Sequence, residues 1–290
     1  MIVKVLLPLI LAFIMFSLGL GLRGHDFSRV LKFPVAFGVG LLNQVVLLPL
    51  VALGLAHVFG LSEIFAVGLM ILALCPGGVT SNLLAKLAGG NAPLSISLTA
   101  ITSLLSILTV PLLVAFSVNH FMGADGPPVD VARLGLTMFL ITAVPVAIGM
   151  ALTAKSPALV EQIAPGVSRA AVVLFVVIIV AALAKNWGVF SSNLGALGPV
   201  AVLLNVMMLG LGLVSAKVLR LDNRDATTIS IESGVQNGTL AIAIGSIVAA
   251  VEGQVLPPAT VPAAVYSITM YFVCVPFVFW RRRGYNLVDA

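Results

Sequence analysis

The chain has 290 residues, of which 60% are hydrophobic and 9% charged, with a mean hydropathy of +1.20. Soluble domains carry about 25% charged residues, so this composition puts the chain in a bilayer and argues against a water-soluble enzyme. The formal charge of +5 is a topology signal and not a nucleic-acid patch.

About 20 apolar residues cross a bilayer as a helix. Such segments recur at residues 4–22, 33–57, 64–86, 93–118, 130–153, 167–186, 195–219, 226–251 and 259–280. Nine spans predict an all-α polytopic membrane protein, a single transmembrane domain over residues 1–290. No loop is long enough for a soluble domain, so any activity belongs to the membrane bundle.

The first span has one Lys ahead of its apolar stretch, and Arg23-Gly24-His25-Asp26 follows where a cleavage site needs small residues. It reads as a helix, not a cleaved leader. The second span carries Asn43-Gln44 at its middle, as glue between helices or as ligands. The third contains Cys75-Pro76-Gly77-Gly78-Val79-Thr80-Ser81-Asn82. Proline removes a backbone donor, and two glycines make helix continuation harder still. A simple kink is one outcome; an opening midway through the span is the one expected. Such backbone is tolerated only where protein or a water-filled cavity surrounds it. The fourth span sets Ser95 and Thr99 four apart on one face, with Thr102, Ser103 and Ser106 beyond.

Residues 171–183 of the sixth span contain no polar group and read as scaffold that faces lipid or packs blandly. In the seventh, Gly210 and Gly212 permit close helix contact. The eighth holds Glu232, the one acidic residue that no loop assignment removes from the membrane, with Gly234, Gln236, Asn237 and Gly238. A carboxylate at that depth costs roughly 3 kcal/mol and is retained mainly where it binds something or shuttles protons. A structural, protonated acid is the plainer alternative. Cys75 and Cys274 fall inside spans and predict neither a disulfide nor a zinc site. His25, His57 and His120 fall at span ends or in loops and read as interfacial.

With the N-terminus outside, Arg23, Arg29, Lys32, Lys86, Lys155, Arg169, Lys217, Arg220, Arg224 and Arg281 to Arg283 face the cytoplasm. Only Lys4, Arg133 and Lys185 lie outside, with Glu63, Asp125, Asp130 and Glu252 in the same loops. The third and eighth spans are five apart and run in opposite directions. Two interrupted, opposed helices are the trace of inverted repeats that cross at mid-membrane, and they point to a transporter's central site.

A dehydrated sodium ion takes carboxylate, amide, hydroxyl and carbonyl oxygens. Glu232 and Gln236 share a helix face, carbonyls freed at Ser233 and Val235 are close by, and Ser81, Asn82, Ser95, Thr99 and Gln44 add side-chain oxygens. Each hydroxyl has a bland alternative, a bond to its own backbone.

The segment CPGGVTSNLLAKLAGGNAPLSISLTAITSLLS at 75–106 resembles the paired-helix signature of the bile acid:sodium symporter family. ESGVQNG at 232–238 resembles that family's second crossover motif, in the same order and spacing. The resemblance implies a core, helices at about 33–118 and 195–280, that moves against a panel, helices at about 4–22, 130–153 and 167–186. Ten-helix bacterial relatives would place one further panel helix ahead of residue 4, and this chain is expected to lack it. By the same resemblance one sodium ion binds Ser81, Asn82, Ser95, Thr99 and Glu232, and a second binds Gln44, Glu232, Gln236 and the carbonyls of Ser233 and Val235. A small organic anion would sit beside the crossing near Asn237. Asn43 is a further substrate candidate, as are Val79, where a relative has a hydroxyl residue, and Thr80 one position later.

The expectation is a sodium-coupled symporter of an organic anion such as a bile acid, pantoate or pyruvate, multi-pass in the cell membrane with a cytoplasmic C-terminus. It needs sodium as coupling ion and no cofactor, and no obligate protein partner or nucleic acid is indicated. A proton-coupled carrier or organic-anion exporter is the alternative, and a membrane sensor or structural subunit a remote one. An enzyme is disfavoured because no His-Glu-x-x-His motif occurs and Glu232 has no evident acid–base partner.

Overall fold

The computed structural model describes residues 2–28, 32–249 and 256–286. Arg29 and Glu252 of the charge pattern lie outside the described residues, as do the side chains of Lys4 and Val79. Every regular element among the described residues is a helix. The first pass is α1 (Ile2–Leu20), followed by the short α2 (Gly24–Ser28). The second joins α3 (Pro34–Leu42) to α4 (Leu48–Val58) through a π turn at Asn43–Leu47. The third is split into α5 (Glu63–Leu74) and α6 (Val79–Leu87), and α7 (Ala92–Met122) is the fourth. The fifth joins α8 (Val131–Met138) to α9 (Val144–Lys155) through a second π turn at Phe139–Ala143. Then come α10 (Pro157–Lys185) and α11 (Trp187–Val218). The eighth is split into α12 (Asn223–Gly234) and α13 (Gly238–Val248), and α14 (Val261–Asn286) is the ninth. Six of these passes are long and apolar enough, unbroken, to cross a membrane.

Every predicted span corresponds to one pass. Two starts differ, because α10 begins at Pro157 and not 167, and α11 at Trp187 and not 195. Proline at a helix start has no donor to leave unsatisfied, so Pro157 opens a helix instead of ending one. Asn186 alone connects α10 to α11, and its side-chain amide donates to the carbonyls of Ala182 (2.9 Å) and Leu256 (3.0 Å). Both π turns have a common cause. Pro49 and Pro145 cannot donate to the carbonyls four residues back, at Val45 and Ile141, and those carbonyls lie inside the two π turns.

α1 packs on α9 and α10, whereas α11 packs on α12 and α14, and α5 on α4, α7 and α14. The contact of α1 with α9 is backbone to backbone: a Cβ on Gly19 would come 2.3 Å from the Val146 carbonyl oxygen. The two glycines of α11 are not equivalent. A Cβ on Gly212 would come 2.7 Å from Ser230 Cα of α12, but one on Gly210 would meet nothing within 4 Å. Only Gly212 serves a close helix contact. Segment 171–183 is likewise two-faced: Val173, Val176 and Val180 are exposed, while Ala171, Ile178 and Ala182 are buried.

Candidate functional site

The two interruptions meet. Cys75 to Gly78 run extended between α5 and α6, so an opening forms and not a kink. The Pro76 carbonyl released there accepts from the backbone N–H of Asn237, in the other break, at 2.9 Å. Asn237 also caps α13, its side-chain oxygen accepting from Leu240 N–H (3.1 Å) and the Thr239 hydroxyl (2.8 Å). On the α12 side, the last carbonyl, Gly234, accepts from Asn205 Nδ2 and Tyr266 O–H, both at 2.6 Å. These carbonyls of the two breaks, at Pro76 and Gly234, are therefore paired to protein groups, as burial requires.

Five of the expected ligands form one cluster. Glu232 accepts from the Ser95 hydroxyl at 2.5 Å and from the Thr99 hydroxyl at 2.8 Å. Both hydroxyls also face Asn82 Oδ1, at 2.7 and 3.2 Å. Ser81 lies 3.5 Å from Thr99 Oγ1 and donates to the Gly78 carbonyl at 2.8 Å. Ser95 and Thr99 thus hold two protons between them against three acceptor oxygens, one from Asn82 and two from Glu232. Among the described residues no basic side chain lies within ion-pair distance of Glu232. A buried carboxylate without a cation is costly, so this cluster calls for one, either a metal ion or a proton.

Gln44, Gln236 and Ser233 form a second cluster one helix turn away. Gln44 Nε2 donates to the Cys75 carbonyl (2.8 Å) and to Gln236 Oε1 (2.7 Å), and Gln236 Nε2 donates to the Ser233 carbonyl (2.9 Å). The Ser233 hydroxyl is turned away onto the Ile229 carbonyl at 2.7 Å. Gly77 sits between the clusters: a Cβ there would lie 2.9 Å from Glu232 Oε2, 3.1 Å from Ser81 Oγ and 3.6 Å from the Val235 carbonyl oxygen. Glu232 and the Val235 carbonyl therefore face one spot that only glycine leaves open.

Against the crossing lies an open cavity. Thr80, Gln236 and Asn237 form its wall on the crossing side, and Met15 of α1 and Ser168 and Phe175 of α10 form the other. Thr80 and Asn237 are thus brought together. Asn43 is not brought to this cavity, because its amide donates to the Ser215 hydroxyl of α11 at 2.9 Å and ties two helices. Sequence reasoning missed Asn205 and Tyr266, polar groups in apolar spans, where glue and function read alike.

An all-helical polytopic chain whose two broken helices touch at their breaks has the architecture of a secondary transporter. The model of the Sodium Bile acid symporter family matches residues 8–193, and the chain belongs to that family. Two relatives are 30% identical: rice "Probable sodium/metabolite cotransporter BASS2, chloroplastic" over 94% of this chain, and Bacillus subtilis "Uncharacterized sodium-dependent transporter YocS" over 90%. The human "Ileal sodium/bile acid cotransporter" is 28% identical over 82% of this chain. This chain spans 63% of the rice protein's length, 78% of the bacterial one's and 68% of the human one's. The family is one of transporters and not of enzymes.

Proposed function

We propose that the protein is a symporter that moves a small organic anion together with two sodium ions by alternating access. The observation that carries this reading is the donor-poor oxygen cluster around Glu232, buried without a basic partner among the described residues. One ion would take oxygens of Ser81, Asn82, Ser95, Thr99 and Glu232. The other would take those of Gln44, Gln236, Glu232 and the Ser233 and Val235 carbonyls. The anion would occupy the cavity bounded by Thr80 and Asn237, where the N-terminus of α13 offers partial positive charge to a carboxylate.

Sodium joins groups from both breaks, so its binding would hold the crossing in shape and pre-organise the neighbouring cavity. That is positive coupling without contact between ion and substrate. Access would alternate by movement of a core (α3–α7 and α11–α14) against a panel (α1 and α8–α10), with the cavity at their interface. Twelve of the fifteen basic residues would face the cytoplasm of the cell membrane, with the N-terminus outside. Trp280 beside Arg281 suits the inner interface and Trp187 the outer one.

Glu232→Ala tests the reading. The purified variant should insert and fold but gain no thermal stability from sodium over potassium, and should lose sodium-driven uptake. Equal gains in variant and wild type would overturn the assignment. Uptake supported equally by sodium and choline but altered by pH would replace sodium with a proton at Glu232.

A further inference from the structure

α7 carries a row of hydroxyls that runs past the ion cluster. Ser95, Thr99, Thr102, Ser106 and Thr109 recur at intervals of four, three, four and three residues. At 3.6 residues per turn they fall within an arc of about 80° along roughly 21 Å of helix. The first two face Glu232. The other three line a narrow cleft between α7, α4 and α5, which reaches Gln44 and Pro76 at the crossing.

The wall of this cleft is chemically one-sided. Thr102 donates its proton to the Leu98 carbonyl (2.8 Å), Ser106 to Ser103 (2.7 Å) and Thr109 to Leu105 (3.1 Å), all within α7. What the three hydroxyls have left for the cleft is lone pairs. Gln44 is used in the same sense: its nitrogen donates twice, while its oxygen has one long contact, 3.4 Å from Gln236 Nε2. No basic residue lines the cleft among the described residues. Acceptors without donors suit a partly dehydrated cation and disfavour a carboxylate. The cleft is also narrow, with room beside its walls for about one water. No residue lines both this cleft and the cavity at Thr80 and Asn237.

We propose that the cleft is a transit site for an alkali cation, and that sodium reaches the Gln44 and Glu232 clusters through it without passing the substrate cavity. Thr109 and Leu113 are the lining residues farthest along α7 toward His120, where His120 and His57 of α4 join the two helix ends through ring nitrogens 2.9 Å apart. The ion would therefore come from that end of the bundle. This inference rests on the sodium reading of the two clusters.

A route alters rates, whereas a site alters equilibria, and that difference is the test. Thr109→Val keeps the shape and removes the lone pairs; Ser106→Leu fills the cleft. Stopped-flow tryptophan fluorescence on mixing purified protein with sodium chloride, against potassium chloride, reads the rate, and sodium-22 binding at equilibrium reads the amount. Thr109→Val should slow sodium association about threefold, the effect of one hydroxyl contact worth roughly 0.6 kcal/mol, and Ser106→Leu should slow it further. Both should bind as much sodium-22 at equilibrium as the wild type. Unchanged rates in Thr109→Val would overturn the route, and so would a fall in its equilibrium binding, which would make Thr109 part of a site. A wild type that binds no sodium-22 would overturn the coupling sites themselves, and the route with them.

Discussion

Gly234 ends α12 two residues after the proposed ligand Glu232, and its carbonyl has two donors, Asn205 Nδ2 and Tyr266 O–H. The two donors also touch each other at 3.1 Å. All three residues are buried, so water cannot replace a lost partner. Tyr266→Phe removes one donor and leaves the other, and should lower stability by about 1 kcal/mol. Asn205→Leu should cost more, because it takes a donor from both the Gly234 carbonyl and the Tyr266 oxygen. Thermal unfolding of the two variants in sodium-free buffer checks the order. A Tyr266→Phe protein less stable than Asn205→Leu would mean that the tyrosine, not the amide, holds the helix end. Glu232 was legible because a carboxylate at membrane depth has few reasons to exist. Asn205 and Tyr266 were not, because nothing in an isolated span tells which carbonyl a polar side chain will meet. Asn43 shows the converse: its polarity marked it as a candidate, and its role is to tie its own helix to α11.

At the scale of elements, the glycines sort by what their missing side chains leave room for. Gly77→Ala would put a methyl group against Glu232 Oε2 and Ser81 Oγ, whereas Gly78→Ala would find its nearest neighbour at 3.9 Å. The first variant should lose sodium-dependent thermal stabilisation and the second retain it, in the same assay. In α11, Gly212→Ala forces a methyl onto the backbone of α12 and should destabilise by roughly 1–3 kcal/mol. Gly210→Ala meets open space and should change stability little or raise it by up to about 1 kcal/mol, since alanine is the better helix former. Equal losses in the two would show that neither glycine serves the α11–α12 contact. Both breaks were readable from Pro-Gly-Gly and from the glycines around Gln236, because backbone chemistry is local. The choice of Gly212 over Gly210 depends on helix rotation and partner, which α11's own sequence does not encode. The π turns lie between these cases: Pro49 and Pro145 announce a disturbed turn, but not that the helix widens instead of breaking.

At the scale of the whole molecule, spans and their number followed from composition, whereas the grouping of α1 with α9 and α10 was expected from the family resemblance alone. That grouping rests on backbone approaches such as Gly19 to Val146, and glycine in a membrane helix is too common to identify its partner. The proposed site also fixes a net charge. Two sodium ions, one carboxylate at Glu232 and one monovalent anion sum to zero, so the loaded site would cross the apolar barrier with no unpaired charge. Because Glu232 stays with the protein, each cycle would carry one positive charge inward, worth about 2.3 kcal/mol per 100 mV. In proteoliposomes, an inside-negative potassium diffusion potential set with valinomycin should therefore accelerate sodium-driven anion uptake, and an inside-positive one should slow it. Uptake indifferent to the potential would mean one sodium per anion. In that case only one of the two oxygen clusters would carry an ion through the cycle, and variants of Gln44 and of Ser95 would differ in whether coupling survives.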